Sequence, residues 1–187
     1  MRFIVIYDAC VLYPAPLRDF LIRLARTGLF SAKWTDDIHE EWIRNLSARR
    51  PEISHSLQRT RQLMDQAVPD CLVQGYEPLV EGLDLPDYDD RHVLAAAIRA
   101  GAQAIITFNL KDFPERRLSP FDLEAMHPDV FAEHQLDLGE AAVLQAAKEA
   151  RTALRNPEVS PDAYIETLEQ QGLVVTAQRL REFSHLI

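Results

Sequence analysis

Cysteine is scarce in this chain of 187 residues: Cys10 and Cys71 stand far apart, with no further Cys or His at zinc-ligand spacing. A disulfide framework and a structural zinc are thereby excluded, and both thiols are expected to be reduced and buried. Long hydrophobic runs are missing too. The opening Phe3-Ile4-Val5-Ile6 is soon interrupted by Asp8, too early for the apolar core of a signal peptide or for a transmembrane helix, so a cytoplasmic protein without a membrane partner is expected. No Gly/Ser or Pro-rich linker and no internal repeat appear, which argues against a freely swinging domain or a solenoid. Positive charge is in the minority as well: 20 Lys and Arg face 29 Asp and Glu, a net charge of −9. Taken globally, that balance disfavours a nucleic-acid partner, because neutralising phosphates needs clustered Lys and Arg.

What is present suffices for a packed fold. Hydrophobic residues make up 47% of the chain, enough for the core of one ordinary domain with an appendage. Charge is also unevenly distributed. Between Arg44 and Arg61 stand the arginines 44, 49, 50, 59 and 61 against the single acid Glu52, a local +4. The acidic excess is concentrated elsewhere, notably in Asp84-Leu85-Pro86-Asp87-Tyr88-Asp89-Asp90, which reads either as a solvated capping loop or as part of a site.

The pattern along the chain alternates strand and helix. Residues 3 to 7 form an apolar, β-branched strand. A helix with the stripe Leu17, Phe20, Leu21, Leu24 follows and ends near Gly28. Leu29 to Lys33 is a short strand, and Thr35 caps a helix from Asp36 to about Ser47. Pro51 opens a polar helix running to about Ala67, Cys71-Leu72-Val73 reads as a strand, residues 90 to 100 as a helix stopped by Gly101, and Ala104 to Thr107 as a strand. This alternation predicts an α/β fold with a parallel sheet. Beyond Phe113 only Leu173-Val174-Val175 looks strand-like. The rest is helical: 138 to 155 with Ala141, Leu144, Ala147 and Leu154 on one face, a helix from Pro161 to Gly172, and a last one near Thr176 to Phe183.

In such a sheet, ligands bind beyond the carboxyl ends of the strands, so polar residues there carry the information. Asp8 ends the first strand, and the next helix is expected only near residue 15, too far for Asp8 to cap it. On the helix after Thr35, with Ile38 at zero, Trp42 lies at about 40° and Leu46 at about 80°, while Glu41 at about 300° borders that stripe and Glu40 at about 200° faces away. Glu41 is therefore either a site carboxylate or the partner of a core arginine. Measured from Val93, Asp90 falls at about 60°, inside the buried arc of its helix, whereas His92 at about 260° lies off it. With Asp87 or Asp89 available as cap, Asp90 is surplus. After the strand 104 to 107, Asn109 and then Asp112 add polar groups. Acids gathered from separate segments repel one another unless a cation intervenes, and all-oxygen donors favour Mg2+ or Mn2+ over zinc or copper. A bound ion would turn an acidic pocket into a phosphate-binding one.

These residues together resemble the PIN-domain nucleases. The resemblance rests on Asp8 in Tyr7-Asp8-Ala9-Cys10-Val11-Leu12, Glu41 in Ile38-His39-Glu40-Glu41-Trp42, Asp90 in Asp89-Asp90-Arg91-His92-Val93-Leu94-Ala95, and the run from Gly101-Ala102 through Ile105 to Phe113. Within that family the chain is most similar to the VapC-type toxins of bacterial toxin-antitoxin pairs, including a subgroup with a C-terminal helical extension. The resemblance implies a three-layer α/β/α domain over residues 1–125 with a central parallel sheet, and a helical extension over 126–187. It implies a Mg2+- or Mn2+-dependent endoribonuclease that leaves a 5′-phosphate and a 3′-hydroxyl, with Asp8 and Asp90 as metal ligands and Glu41 as a ligand or an orienter of water. Many relatives carry a fourth acid where this chain has Asn109, so a second metal site depends on whether Asp112 substitutes for it or only caps the next helix. Arg44, Arg49 and Arg50 are candidate RNA contacts, or a solvated basic face. The implied partners are RNA, a small VapB-like antitoxin and, compatibly, a second copy of the chain. Alternatives are a non-catalytic PIN-like module that binds RNA or protein, and a housekeeping PIN nuclease without an antitoxin. Two rivals lack their residues: a haloacid dehalogenase-type phosphatase wants an acid where Cys10 stands, and a receiver domain wants an acidic pair at the first strand's end.

Overall fold

A computed structural model describes residues 2–187. In chain order its elements are β1 (Ile4–Tyr7), α1 (Ala9–Leu12), α2 (Ala15–Ala25), β2 (Ser31–Lys33), α3 (Asp36–Arg49), α4 (Ser54–Ala67), α5 (Glu77–Val80), α6 (Arg91–Ala100), β3 (Ala104–Ile106), α7 (Glu115–Leu118), β4 (Glu124–Met126), α8 (Pro128–Ala153), α9 (Pro161–Gln170) and α10 (Val174–Glu182), with short 3-10 turns at 51–53, 119–121 and 184–186. They fall into two compact units, one of residues 1–13 and 30–127, the other of 14–29 and 128–187. The sequence division is contiguous at 125/126; the compact units are not, because α2 packs with the C-terminal helices. Among the described residues no helix is long and apolar enough to cross a membrane.

The first unit is built on a four-stranded sheet in the order β2-β1-β3-β4, with every neighbouring pair parallel. This is the α/β class expected, with helices between the strands as the PIN-like architecture requires. Val5, Ile6, Ala104, Ile105 and Ile106 are all fully buried, as strands covered on both faces must be. Each such Val or Ile side chain contributes roughly 1.5–3 kcal/mol through burial. From β1 the chain places β2 on one side and β3 on the other, so the strand order reverses at β1 and a crevice opens beyond its carboxyl end.

Four local expectations are corrected. The helix expected near residue 15 is there as α2, but a short one, α1, precedes it and begins directly after Asp8. Cys71-Leu72-Val73 forms only an isolated bridge from Leu72 to Trp34. Glu124–Met126 is a strand that pairs with β3, which no apolar run announced. Leu173-Val174-Val175 opens a helix instead of a strand.

In the second unit α2 packs on α8, and α8 and α9 on α10. Leu17, Phe20, Leu21 and Leu24 are fully buried, as their spacing predicts. The helix expected over 138–155 is the second half of α8, which runs from Pro128 to Ala153 and is broken at Gly139. A Cβ at Gly139 would stand 2.8 Å from Leu29 Cδ2, so the break also lets Leu29 approach the backbone. Its buried face is Val143, Leu144, Ala146, Ala147 and Ala150, whereas Ala141 and Leu154 are exposed.

The start of α10 is fixed from a distance. Its N-cap position, Leu173, offers no side-chain acceptor. Instead the buried Asp129 carboxylate accepts from the Val175 N–H and the Thr176 N–H, both at 2.9 Å. Replacing Asp129 with Ala leaves two helix-terminal donors unmatched, at a cost of about 1–2 kcal/mol. The expected result is a melting temperature several degrees lower for Asp129→Ala, with Asp129→Asn in between; unchanged melting would show that α10 does not need this cap.

Candidate active site

Asp8 lies where the central strand ends, and its own N–H continues the ladder by donating to the Ile106 carbonyl at 3.1 Å. Only 2% of it is exposed. Its Oδ1 accepts from the Ala9 N–H at 2.7 Å, and its Oδ2 accepts from Thr107 Oγ1 at 2.7 Å and from the Cys10 thiol at 3.1 Å. The donors are themselves held. Thr107 Oγ1 accepts from the Asn109 N–H at 2.9 Å, and Cys10 Sγ accepts from the Phe108 N–H at 3.3 Å. Asp8 thus caps α1, contrary to the sequence reading, and at the same time joins the ends of β1 and β3. Burial raises its pKa; the Thr107, Cys10 and Ala9 bonds oppose that, and the charge of Glu41 reinforces it.

A polar cleft of about 520 Å³ is formed within the first unit; Asp8 does not line it, but its charge acts on Asp90, which does. Helix α3 contributes Asp37, Glu40, Glu41, Arg44 and Asn45; the segment entering α6 contributes Asp87, Asp89, Asp90 and His92; the segment after β3 contributes Asn109 and Asp112. Seven carboxylates therefore share this cleft with one arginine. Asp90 occupies the N-cap position of α6 but makes no capping hydrogen bond with its side chain. Asp87 accepts from the Asp89 N–H at 2.9 Å and organises the turn before it. Asp90 is pushed up to about 7, first by burial and then by the charges of Asp8, Asp87, Asp112 and Glu41. Carboxylates from four segments thus act on one another at this point.

Glu41 is partly exposed on the cleft wall and, across the cleft, its Oε2 lies 3.4 Å from His92 Nε2. His92, set aside by the helical projection, lines the cleft with its Nδ1 buried and without a hydrogen-bond partner among the described residues. Its position two residues after Asp90, on the first turn of α6, was the available signal. Thr107 was also missed as a positioning group, although it closes the strand whose end carries the site. Glu40 faces away from the core but still borders the cleft. Asn109 and Asp112 both line the cleft, and the next helix starts after Pro114, so Asp112 is not its cap. Of the three arginines, Arg44 lines the cleft, Arg49 is exposed away from it, and Arg50 donates to Glu52 at 2.9 Å.

Asp8, Glu41, Asp90, Asn109 and Asp112 offer oxygen donors only, the set that hard cations take. Among the described residues no group of three or more His, Cys, Asp or Glu side chains stands close enough together to hold a metal ion as placed. The chemistry of the donors nevertheless fits such an ion, because the cleft gathers more negative charge than its own cations balance.

Over residues 4–111 the chain matches the family model of the PIN domain, and over 128–182 that of the VapC50 C-terminal domain. It is 38% identical over 109 residues to a Mycobacterium tuberculosis protein named "Putative ribonuclease VapC50", an alignment that covers 58% of this chain and 64% of that one. The chain thus matches less than two thirds of that relative's length. No solved structure matches it.

The raised Asp90 pKa has a stability consequence in cation-free protein. Because the folded state holds this proton more tightly than the unfolded chain, stability is undiminished below about pH 4 and falls as pH rises toward about 7. In EDTA, the melting temperature of Asp90→Asn should therefore exceed that of the parent by several degrees at pH 8, with the gap closing by pH 4. His39, whose pKa burial lowers, pulls the other way in both proteins and cancels in the difference. Parallel melting profiles for the two proteins would rule out the repulsive cleft.

Proposed function

This chain belongs to the PIN-domain family, with a VapC50 C-terminal domain following its PIN domain, and from that premise we propose that it is a metal-dependent endoribonuclease, the toxin of a type II toxin-antitoxin pair. The observation that carries the reading is the gathering of Glu41, Asp90, Asn109 and Asp112 in one cleft, with Asp8 at the end of β1 close enough for its charge to act on Asp90. Asp8 and Asp90 would hold a Mg2+ or Mn2+ ion. When bound, such an ion neutralises charge on the scissile phosphate and activates water for in-line attack. Thr107 and Cys10 fix the orientation of Asp8 by donating to its Oδ2. Glu41, facing His92, orients the attacking water and accepts its proton. Asn109 supplies an amide oxygen without charge, and Asp112 supplies the further negative charge on that wall. Arg44 meets the phosphate backbone at the cleft. Attack at phosphorus expels the 3′-oxygen, leaving a 5′-phosphate and a 3′-hydroxyl. The partners are RNA in the cytoplasm and a small VapB-like antitoxin.

Asn109 in place of an acid also favours a second reading, a non-catalytic module that binds RNA or protein. One assay separates them. Wild-type protein should cleave end-labelled RNA with Mg2+ or Mn2+, lose that activity in EDTA, and lose at least about 100-fold as Asp90→Asn or Asp8→Asn. A variant as active as the parent would remove these residues from the mechanism, and absence of cleavage with either ion would leave the binding module. Growth arrest on expression, relieved by the product of a small neighbouring reading frame, is the expected mark of a toxin; normal growth would indicate a housekeeping nuclease.

A further inference from the structure

Tyr88 sits between two cleft residues, Asp87 and Asp89, yet 62% of it is exposed. An aromatic side chain left in water at the rim of a site calls for a reason, since a tyrosine gains most by burying its ring. One face of the ring is occupied. The Arg91 guanidinium lies over it at 4.4 Å from the centroid, a cation–π contact that restrains an otherwise free side chain. Arg91 is anchored in turn: its side chain is 19% exposed, its Nη2 lies 3.9 Å from Asp84 Oδ1, and its Nε is buried without a hydrogen-bond partner. Arg91 also directly follows Asp90, so the ring is held in fixed relation to the carboxylate at the centre of the cleft. The surroundings select the ligand. Asp87 and Asp89 flank the ring and repel phosphate there, Asp84 is taken up by Arg91 and Arg117, and the cleft's arginine, Arg44, comes from a different element, α3. A neutral, flat group is what this rim accepts.

We propose that Tyr88, backed by Arg91, is a stacking platform for an unpaired nucleobase of the substrate, next to the phosphate bound in the cleft. This rests on the ribonuclease reading and adds a substrate-positioning residue to it. Stacking on one aromatic side chain is tolerant of base identity, so the platform selects single-stranded RNA without specifying its sequence.

The test uses the full chain carrying Asp90→Asn, which leaves RNA uncut, with fluorescein-labelled single-stranded RNA and an equally long oligomer of abasic tetrahydrofuran units, both followed by anisotropy in Mg2+. Adding Tyr88→Ala should weaken binding of the RNA about tenfold, leave binding of the abasic oligomer unchanged, and leave the melting temperature unchanged. Tyr88→Phe and Tyr88→Trp should restore RNA binding to within about twofold, because either ring can stack. Equal RNA affinity with and without the Tyr88 ring, or the same loss on the abasic oligomer, overturns the platform while the nuclease reading stands. If neither the Asp90→Asn parent nor the unsubstituted chain, kept from cutting by Ca2+ in place of Mg2+, binds either oligomer, the RNA reading fails and the platform with it.

Discussion

Mutual repulsion among carboxylates is the constraint around which the cleft is organised. Charges of one sign brought together in a partly buried space raise the free energy of the fold, and Asp90, pushed up to about 7 by burial first and then by the neighbouring carboxylates, registers both costs. Such a cluster persists only when the rest of the chain holds its members more firmly than they push apart. Asp8 is held by three donors, two of which are fixed by further N–H groups from the turn after β3. The ends of β1 and β3 are therefore tied through a carboxylate as well as through the ladder. A hard cation would reverse the balance by turning repulsion among ligands into attraction toward one point.

Glu41 owes its place to a different network, and that network is uncharged at its centre. His39, two residues before Glu41 and on the opposite side of α3, is fully buried. Its Nδ1 accepts from Trp42 Nε1 at 3.0 Å, and its Nε2 lies 2.9 Å from Asp65 Oδ1 on α4. Asp65 Oδ1 also accepts from Trp34 Nε1 at 2.8 Å. Because the Trp42 indole N–H can only donate, His39 Nδ1 carries no proton, so the imidazole is neutral with its proton on Nε2 toward Asp65; burial lowers its pKa in the same sense. The Trp34 that follows β2, helix α3 and helix α4 are thus locked together through groups whose hydrogen-bond directions admit only one arrangement. The helix bearing Glu41 is thus tied to its neighbours by side-chain hydrogen bonds, as the strand end bearing Asp8 is, and such support is what a preorganised site requires.

How much of this could be read from the chain depends on the range of the interaction responsible. Helical period alone put Glu41 at the border of a buried stripe and Asp90 within one, and strand pattern alone put Asp8 at the end of β1; all three bear on one cleft region. Local signals failed where the deciding partner is remote or the element too short to show a period. Helix α1 spans four residues, fewer than two turns, and β4 has no β-branched residue to mark it. Leu173-Val174-Val175 has strand composition, but a carboxylate 46 residues earlier accepts from Val175 and turns the segment into a helix start. His92 fell outside the buried arc because the projection considers only one helix, and the group that faces it, Glu41, belongs to another.

The same distinction applies to charge. As a sequence, the stretch from Arg44 to Arg61 is a basic island of +4 in an acidic chain. In the fold that island is partly spent: Arg50 donates to Glu52, and Arg61 pairs with Asp36 at the start of α3. An exposed pair contributes little to stability, yet it neutralises a charge that would otherwise attract phosphate. Of the three arginines marked for RNA, Arg44 alone lines the cleft. On the ribonuclease reading proposed above, Arg44 is thus the one of the three placed to meet phosphate at the cleft, beside whatever cation the acids would hold. Charge that forms one basic island along the chain is divided by the fold between ion pairs and the cleft wall.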